Sequence, residues 1–237
     1  MTNLPLQDRL ALVTGASRGI GAATAEALAA AGAHVILTAR TAGGLEEVEE
    51  RIFAAGGNAT IAPLDIGESG GVAKLASAIG GRWDALDILV LNAASLGTLT
   101  PVSAIDPKEL ANLLTLNISA QQALIAAFDP MLRMSDRARL VMLTSSVATR
   151  PRAYWGGYAA TKAALETLVL TYADEMVGIS SLRCAIVDPG ATATKMRARA
   201  FPGEDAAMLK PPAVVGAAIA RMVVDDFENG ARVRVGA

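Results

Sequence analysis

The amino-acid sequence predicts a single α/β domain, in which helices cover both faces of a doubly wound parallel β-sheet of about seven strands. Apolar runs of strand length alternate with segments of helical spacing, which is typical of right-handed βαβ crossovers. Hydrophobic residues make up 52% of the chain, as expected for a sheet buried on both faces. The length of 237 residues, without a linker or repeat, fits one domain over residues 1–237.

Each predicted strand is a short apolar run, too short for a buried helix. In chain order the runs read LALV, HVILTA, ATIA, ILVL, LVML, LRCAIV and VRV. They span residues 10–13, 34–39, 59–62, 88–91, 140–143, 182–187 and 233–235.

Charge and composition exclude several classes of function. The formal net charge is -2, whereas nucleic acids and anionic membranes select clustered basic surfaces. With one cysteine, Cys184, and one histidine, His34, the chain has no internal disulfide and too few ligands for a transition-metal site. We expect His34 to be structural, because it opens a strand. The N-terminus lacks a secretory pattern and residues 110–128 carry several amides, so we expect a cytoplasmic protein that binds a small molecule.

The first strand leads into a glycine-rich turn at residues 14–21, Thr-Gly-Ala-Ser-Arg-Gly-Ile-Gly. In a parallel sheet, ligands bind beyond the carboxyl ends of the strands, where a helix N-terminus offers free N–H groups to phosphate. Gly15, Gly19 and Gly21 lack side chains where the backbone turns sharply, approaches a pyrophosphate or packs helix against strand. The spacing differs from Gly-x-Gly-x-x-Gly, and a generic tight turn remains the alternative.

The end of the second strand indicates which dinucleotide this turn would bind. A carboxylate at that point favours NAD, but this strand ends in Ala39-Arg40-Thr41. Arg40, with Arg18 from the turn, can form charge-assisted bonds to a 2′-phosphate. NADP(H) is therefore favoured and NAD(H) remains an option. The alternative is that both arginines are solvated surface charges.

A helix is predicted to begin at Asp106, which can cap it, with Pro107 in the first position and Glu109 completing a capping box. Asn117 falls on the apolar stripe of this helix. A buried amide costs stability unless it is hydrogen-bonded, so Asn117 either pairs with backbone or water as plain structure or serves a site. The stripe comprises Leu110, Leu113, Leu114, Leu124, Ile125 and Phe128.

Tyr158 and Lys162 lie four residues apart in a predicted helix over residues 154–176, so their side chains share one face. Such pairs arise by chance often enough that the spacing alone decides nothing. A phenol has a pKa of about 10 and exchanges protons at neutral pH only where its anion is favoured, as beside an ammonium group. The strand 140–143 delivers Thr144-Ser145-Ser146 to its carboxyl end, where a serine hydroxyl can hold a substrate oxygen.

Together these residues resemble the short-chain dehydrogenase/reductase family, over essentially the whole chain. The resemblance implies a Rossmann-type domain that transfers hydride between NAD(P)(H) and an alcohol or carbonyl compound. Residues 14–21 resemble the family's cofactor turn, Asp65 sits where members hold adenine, and residues 92–95 resemble its Asn-Asn-Ala-Gly. Residues 189–194 look like the segment around the nicotinamide carboxamide and pyrophosphate. The implied cofactor-binding residues are Gly15, Ser17, Arg18, Gly19, Ile20, Gly21, Arg40, Asp65, Ile66, Asn92, Ala93, Tyr158, Lys162, Pro189, Gly190, Thr192 and Thr194.

The same resemblance implies a catalytic tetrad of Asn117, Ser146, Tyr158 and Lys162. Tyr158 would be the general acid or base, and Ser146 would orient the carbonyl group. Lys162 would bind the nicotinamide ribose and lower the pKa of the tyrosine, and Asn117 would hold a water for proton relay. No metal is implied, because the cofactor performs the hydride chemistry.

The sequence departs from the family pattern at two points. Residues 92–95, Asn-Ala-Ala-Ser, lack the second asparagine and the final glycine. Ser146 is one residue closer to Tyr158 than is common, and the common spacing would select Ser145. We prefer Ser146, because Val147 and Ala148 after it match the family pattern.

Residues 191–211 are predicted to form a substrate lid, a loop and short helix over the site. Three basic residues between 195 and 199 could attract an anionic substrate, but two acids follow at 204–205, so a solvated mixed surface is an equal alternative. Tyr154, Trp155 and Met196 could supply apolar walls, and the substrate stays open.

The helix over residues 110–128 and the Tyr158 helix carry more apolar surface than one sheet face needs, which predicts a homodimer or homotetramer. Two other functions compete with a dehydrogenase. A non-catalytic NADP(H)-binding sensor would bind the cofactor without turnover. An α/β domain for another nucleotide-like ligand, such as a methyl donor, would bind no nicotinamide.

Overall fold

The computed structural model describes residues 4–236, which form one domain around a seven-stranded parallel sheet. The strands are β1 Leu10–Thr14, β2 His34–Ala39, β3 Asn58–Pro63, β4 Ile88–Leu91, β5 Arg139–Leu143, β6 Arg183–Asp188 and β7 Ala231–Arg234. Their order in the sheet is β3-β2-β1-β4-β5-β6-β7. The direction of winding reverses between β1 and β4, which confirms the predicted doubly wound parallel sheet.

The last strand departs most from its predicted position. The sequence predicts residues 233–235, whereas β7 spans Ala231–Arg234. Arg232 and Arg234 are exposed and alternate with half-buried residues on this edge strand. A half-exposed strand lacks the continuous apolar run that marks the central strands, so its beginning is hidden in the sequence.

Helices connect successive strands and cover both faces of the sheet. They are α1 Gly19–Ala30, α2 Ala42–Ala54, α3 Gly71–Gly80, α4 Pro107–Leu114, α5 Ala120–Met134, α6 Gly156–Glu175, α7 Lys195–Ala200 and α8 Pro212–Asp225. Short 3-10 turns occur at Val102–Ala104, Ser146–Ala148 and Ala206–Met208. The helix predicted over residues 154–176 is therefore α6, which begins two residues later.

A hydrophobic core lies on each face of the sheet. Leu12 of β1 packs in the cluster of α3, α5 and α6, which includes the fully buried Phe128. Its neighbour Val13 points to the opposite face and packs with Leu28 of α1 and Ile219 of α8. Burial on both faces explains the continuous apolar runs within the central strands.

A π-helical turn, Thr115–Ser119, joins α4 to α5. The predicted N-cap is confirmed, since the Asp106 carboxylate accepts a hydrogen bond from the Glu109 N–H at 2.9 Å. The predicted apolar stripe is only partly correct. Leu114 is 41% exposed, because the wider π turn changes the helical phase between the two halves. Asn117, at the centre of the turn, is fully buried.

His34 and Cys184 both have structural surroundings. A His34 ring nitrogen lies 2.9 Å from the Thr60 hydroxyl oxygen, and the imidazole packs against Trp83. Burial raises the pKa of the Cys184 thiol to about 12. Over residues 4–236, no helix combines the length and apolar character needed to cross a membrane. The same residues contain no cluster of three or more His, Cys, Asp or Glu side chains suited to a metal ion.

Candidate active site

The predicted site residues converge at the carboxyl edge of the sheet. The glycine turn follows β1, residues 92–95 follow β4, and Ser145 and Ser146 follow β5. The segment 189–194 follows β6 and completes this edge. Because all strands are parallel, these four connections surround one crevice at the point where the winding reverses.

The glycine turn has three positions with different demands. Gly15 and Gly19 have φ values of 64° and 58°, in the left-handed region that favours glycine. A Cβ at Gly21 would overlap the carbonyl oxygen of Gly15, because the first turn of α1 packs directly on the end of β1. Backbone conformation therefore accounts for two glycines and close packing for the third.

The start of α1 offers the donors that a phosphate group needs. Arg18 is the N-cap residue, and no side chain caps the first turn, whose N–H groups have no partner within the helix. Gly19 faces Thr194, whose methyl carbon lies 3.6 Å from the place that a Cβ at residue 19 would take. These backbone donors beside a narrow, glycine-lined gap fit the pyrophosphate of a dinucleotide.

Thr14 ties the glycine turn to the segment after β4. Its hydroxyl donates to the carbonyl oxygen of Val90 at 3.1 Å and accepts from the N–H groups of Asn92 and Ala93, both at 3.0 Å. The Asn92 amide donates to the carbonyl oxygens of Thr14 at 2.8 Å and Gly15 at 3.3 Å. These bonds hold residues 92 and 93 in place despite the departures from the family pattern.

Arg40 and Asp65 lie together at the carboxyl ends of β2 and β3. Arg40 Nη1 is 3.9 Å from Asp65 Oδ2, and both side chains are partly exposed, which makes this a weak surface pair. Asp65 Oδ1 also accepts from the Gly67 N–H at 2.9 Å, and Ile66 is buried beside it. The residues predicted for adenine and for a 2′-phosphate are therefore neighbours. Arg18 is exposed on the glycine turn.

Tyr158 and Lys162 share one face of α6, as predicted, and both are buried. Tyr158 is 7% exposed and Lys162 is 2% exposed. Lys162 Nζ lies 5.9 Å from the centre of the Tyr158 ring and donates to the carbonyl oxygen of Leu143 at 2.8 Å. Leu143 ends β5, so this bond fixes the ammonium group against the strand that leads to the two serines.

Burial dominates the electrostatics of this pair. It raises the pKa of Tyr158, and the nearby carboxylate of Asp188 raises it further. Burial lowers the pKa of Lys162 to about 8, and the Glu166 carboxylate opposes that change. Burial is therefore the largest influence on the Tyr158 pKa in this arrangement, and a lowering of that pKa by Lys162 stays a prediction.

Glu166 lies one helical turn beyond Lys162 and is itself buried. Its carboxylate accepts from the Thr144 hydroxyl at 2.5 Å and from Arg232 Nη1 at 2.5 Å. Thr144 follows Leu143, whose carbonyl binds Lys162, and Arg232 belongs to β7. The carboxylate therefore connects the surroundings of Lys162 to the last strand of the sheet.

Asn117 has a complete set of partners in the structure. Its Oδ1 accepts from the Ser95 N–H at 2.8 Å, and its amide nitrogen donates to the Ser95 carbonyl at 2.9 Å and to the Thr161 hydroxyl at 3.0 Å. Thr161 in turn donates to the carbonyl oxygen of Tyr158 at 2.8 Å. The side chain therefore links the segment after β4 to the Tyr158 helix, and the role of Asn117 in the catalytic tetrad stays a prediction.

Ser145 and Ser146 are both half-buried at the end of β5. Ser146 begins a 3-10 turn, and its carbonyl oxygen accepts from the Arg150 N–H at 3.0 Å. Val147 in the same turn packs in the apolar cluster that contains Tyr158. The preference for Ser146 remains a prediction.

The segment after β6 turns sharply at Gly190, which has a φ of 62°. The Asp188 carboxylate accepts from the Gly190 N–H at 2.9 Å, and the Thr192 hydroxyl donates to the carbonyl oxygen of Pro189 at 3.1 Å. The Thr194 hydroxyl accepts from the N–H of Arg197 at 3.1 Å and so caps α7. These bonds place the segment opposite the glycine turn.

The predicted lid, residues 191–211, contains α7 and a 3-10 turn. Its two ends pair with each other, since the Ala193 N–H donates to the carbonyl oxygen of Lys210 at 2.9 Å. Arg199 Nη2 donates to the carbonyl oxygen of Gly97 at 2.5 Å. The lid is therefore closed at its base and attached to the loop after β4.

Comparison with known proteins agrees with this geometry. The sequence profile of the family described as short chain dehydrogenase matches residues 9–205. The chain belongs to the short-chain dehydrogenase family. YciK of Escherichia coli strain K12, an uncharacterised oxidoreductase, is 39% identical over 211 residues, or 88% of this chain and 83% of YciK.

Solved structures of short-chain dehydrogenases superpose over nearly the whole chain. One from Pseudomonas syringae has a TM-score of 0.94 at 34% identity and covers 98% of this chain and 96% of its own. One from Shigella flexneri, complexed with NADP, has a TM-score of 0.92 at 35% identity and covers 98% and 99%. These similarities confirm the predicted family and fold, and identify the chain as an oxidoreductase of the short-chain dehydrogenase family.

The sequence analysis missed four residues that hold this short-chain dehydrogenase site together. Thr14 and Thr161 act through hydroxyl bonds to neighbouring segments, and Glu166 and Arg232 pair across the fold. Glu166 had a readable signal, because a carboxylate four residues after Lys162 on a buried helix face requires a partner. Arg232, its partner on β7, has no such signal in the sequence, because the pairing depends on the order of strands in the sheet.

Proposed function

We propose that this chain is an NADP(H)-dependent oxidoreductase that interconverts a small carbonyl compound and its alcohol, with Tyr158 as general acid or base. One observation carries the proposal. Tyr158 and Lys162 lie buried on one face of α6, at the same sheet edge as a glycine turn built for a phosphate-bearing ligand. Burying a phenol beside an ammonium group costs stability, and such pairs are concentrated at catalytic sites.

The cofactor would lie across the crevice between β1 and β4 and would supply the hydride donor or acceptor. The glycine turn and residues 189–194 would hold the pyrophosphate and nicotinamide, and Asp65 with Ile66 would hold the adenine. Arg40 and Arg18 would pair with a 2′-phosphate, for which Arg40 would exchange its weak contact to Asp65. In support, related structures from Shigella flexneri and Escherichia coli CFT073 were solved with NADP and NADPH.

The proton chemistry follows from the two pKa directions. Because burial raises the pKa of Tyr158, its neutral hydroxyl is available to donate a proton to a carbonyl oxygen during reduction. Lys162 is positioned to stabilise the phenolate that remains, since its Nζ is 5.9 Å from the ring centre. Ser146, or Ser145 at the alternative spacing, would orient the substrate oxygen.

The test has a binding part and a catalytic part. NADPH and NADH are titrated calorimetrically into the wild type and into Arg40→Ala and Arg18→Ala. We expect tighter binding of NADPH, and loss of that preference in the two variants. Wild type and Tyr158→Phe are then compared for NADPH oxidation with carbonyl compounds, where Tyr158→Phe should bind NADPH normally and turn over nothing.

Other results would select one of the competing functions. NADPH binding without turnover of any carbonyl compound would indicate a sensor. Failure to bind either nicotinamide would indicate another nucleotide-like ligand, and the role of Tyr158 would fall with it.

Self-association is part of the same proposal. Leu114 on α4 and Leu168 on α6 are large apolar side chains that are 41% and 38% exposed. A second copy of the chain would cover such surfaces. Light scattering after size exclusion should give a mass of two or four chains, and a single-chain mass would contradict the expectation.

A further inference from the structure

The surroundings of Tyr158 are apolar on the side of the lid. Tyr158 belongs to a small buried cluster with Leu96, Val147 and Ala159. Four half-buried side chains pack against this cluster, namely Leu99, Trp155, Met196 and Ala200. Two of them come from the lid, so the lid supplies apolar groups to the tyrosine that would carry the reaction.

Aromatic rings extend this wall outward. The Trp155 ring centre lies 6.1 Å from that of Tyr158, at an interplanar angle of 64°, and 5.6 Å from that of Phe201 on the lid. Aromatic groups at such distances and tilts attract one another and other flat apolar groups. Trp155 is therefore placed between the reacting hydroxyl and the lid.

Both arginines of the lid are already engaged. Arg197 forms two hydrogen bonds to the Glu204 carboxylate, at 2.5 Å and 2.6 Å, and its guanidinium lies 3.7 Å from the Phe201 ring centre. Arg199 donates to the carbonyl oxygen of Gly97. Lys195, at the start of α7, is exposed to solvent. Because the two arginines already have partners in the fold, these contacts favour the mixed surface over a binding site for a substrate anion.

The charges nearest Tyr158 also disfavour an anion. The Asp188 carboxylate acts on the Tyr158 hydroxyl, and its own contact to Arg234 is long, at 3.7 Å. Lys162 is held by the Leu143 carbonyl and would bind the cofactor ribose. A substrate carboxylate brought against this apolar cluster would lose hydration, and neither lid arginine is unengaged to pair with it.

We propose that the substrate of this site is an uncharged carbonyl compound with a flat apolar group, which lies against Trp155 under the lid. This inference rests on the proposed function, because it assigns the substrate of the reaction at Tyr158. The contact from Arg199 to Gly97 holds the lid against the loop after β4.

Four α-keto compounds separate charge from apolar shape. They are pyruvate, phenylglyoxylate and the methyl ester of each. Their affinities for the protein saturated with NADP⁺ are measured by calorimetry, so that no reaction occurs. We expect methyl phenylglyoxylate to bind about tenfold or more tightly than either methyl pyruvate or the phenylglyoxylate anion.

Variants identify the residues responsible. Trp155→Ala should weaken methyl phenylglyoxylate about tenfold and leave methyl pyruvate unchanged. Trp83→Ala is the matched control, because Trp83 packs on His34 at the amino edge of the sheet, and it should change neither affinity. Tighter binding of phenylglyoxylate than of its ester, no binding of the ester, or no effect of Trp155→Ala would each overturn the inference.

Turnover distinguishes this inference from the proposed function. If the four compounds bind in the expected order but NADPH oxidation does not depend on Tyr158, the proposed function is overturned and the apolar site is kept. Tyr158-dependent oxidation that is fastest with phenylglyoxylate would keep the proposed function and overturn the inference.

Discussion

Replacing Asn117 by alanine is expected to destabilise the fold through the link between two site segments. The Asn117 amide binds the N–H and C=O groups of Ser95 and the hydroxyl of Thr161. Alanine removes all three bonds while leaving the backbone of the π turn free to form. The variant therefore tests the contribution of the Asn117 side chain apart from that of the π turn.

The expected loss of stability depends on which polar groups lose their hydrogen-bond partner. Each buried polar group without a partner costs about 1–3 kcal/mol. Ser95 is half-buried, so water recovers part of that cost, and Thr161 keeps its bond to the Tyr158 carbonyl. We expect a loss of about 2–4 kcal/mol in the free energy of unfolding. At roughly 2–4 °C per kcal/mol for a domain of this size, the Tm should fall by about 4–16 °C.

The assay is denaturant and thermal unfolding, with Asn58→Ala as control. Asn58 is exposed at the start of the edge strand β3, and its replacement should change stability by less than about 0.5 kcal/mol. NADPH affinity should be little changed by Asn117→Ala, because Thr14 holds residues 92 and 93. Equal midpoints for Asn117→Ala and Asn58→Ala would refute the account of Asn117 as a structural link.

Three further changes test other parts of the site. Gly21→Ala should abolish NADPH binding and destabilise the fold, because the new Cβ overlaps a backbone carbonyl. Gly43→Ala is the control, since the space around Gly43 is open, and it should leave the NADPH affinity measured by calorimetry unchanged. Glu166→Gln removes the charge that raises the pKa of Lys162, so the alkaline limb of the kcat profile should move to lower pH; an unmoved limb would exclude this coupling. Lys162 loses its proton near pH 8 in the fold and near its ordinary value of 10.5 when unfolded, so the unfolded chain binds more protons between those values. Denaturant titrations should therefore show the stability of wild type relative to Lys162→Met rising through this pH window, and a flat difference would contradict the burial argument.

The sequence predicts the central sheet well because each inner strand is buried on both faces. A run such as residues 10–13 is then apolar at every position. Edge strand β7 is different, because Arg232 and Arg234 lie on its exposed side and interrupt the apolar run. The predicted strand is accordingly displaced there, while the strands before it agree within one or two residues.

The site is only partly readable from sequence because its contacts span long distances along the chain. Local signals identify Gly15, Tyr158 and Lys162, whose spacing within one turn or helix carries the information. The partners of Glu166 and Arg199 lie 66 and 102 residues away. The π turn at Asn117 is equally hidden, because no residue type specifies it. The contacts of Arg197 and Arg199, which the sequence leaves open, are seen only in the fold.

Because Arg232 pairs with Glu166, the order in which the chain is synthesised affects the site. Tyr158 and Lys162 are made before Arg232, which pairs with the Glu166 carboxylate beside Lys162 and follows roughly 70 residues later. At about 5–20 residues per second, that interval lasts several seconds. A nascent chain that has not reached β7 keeps a buried carboxylate without its arginine. The surroundings of Lys162 are therefore completed only once β7 is made, and a chain cut short before β7 would leave the Glu166 carboxylate without Arg232.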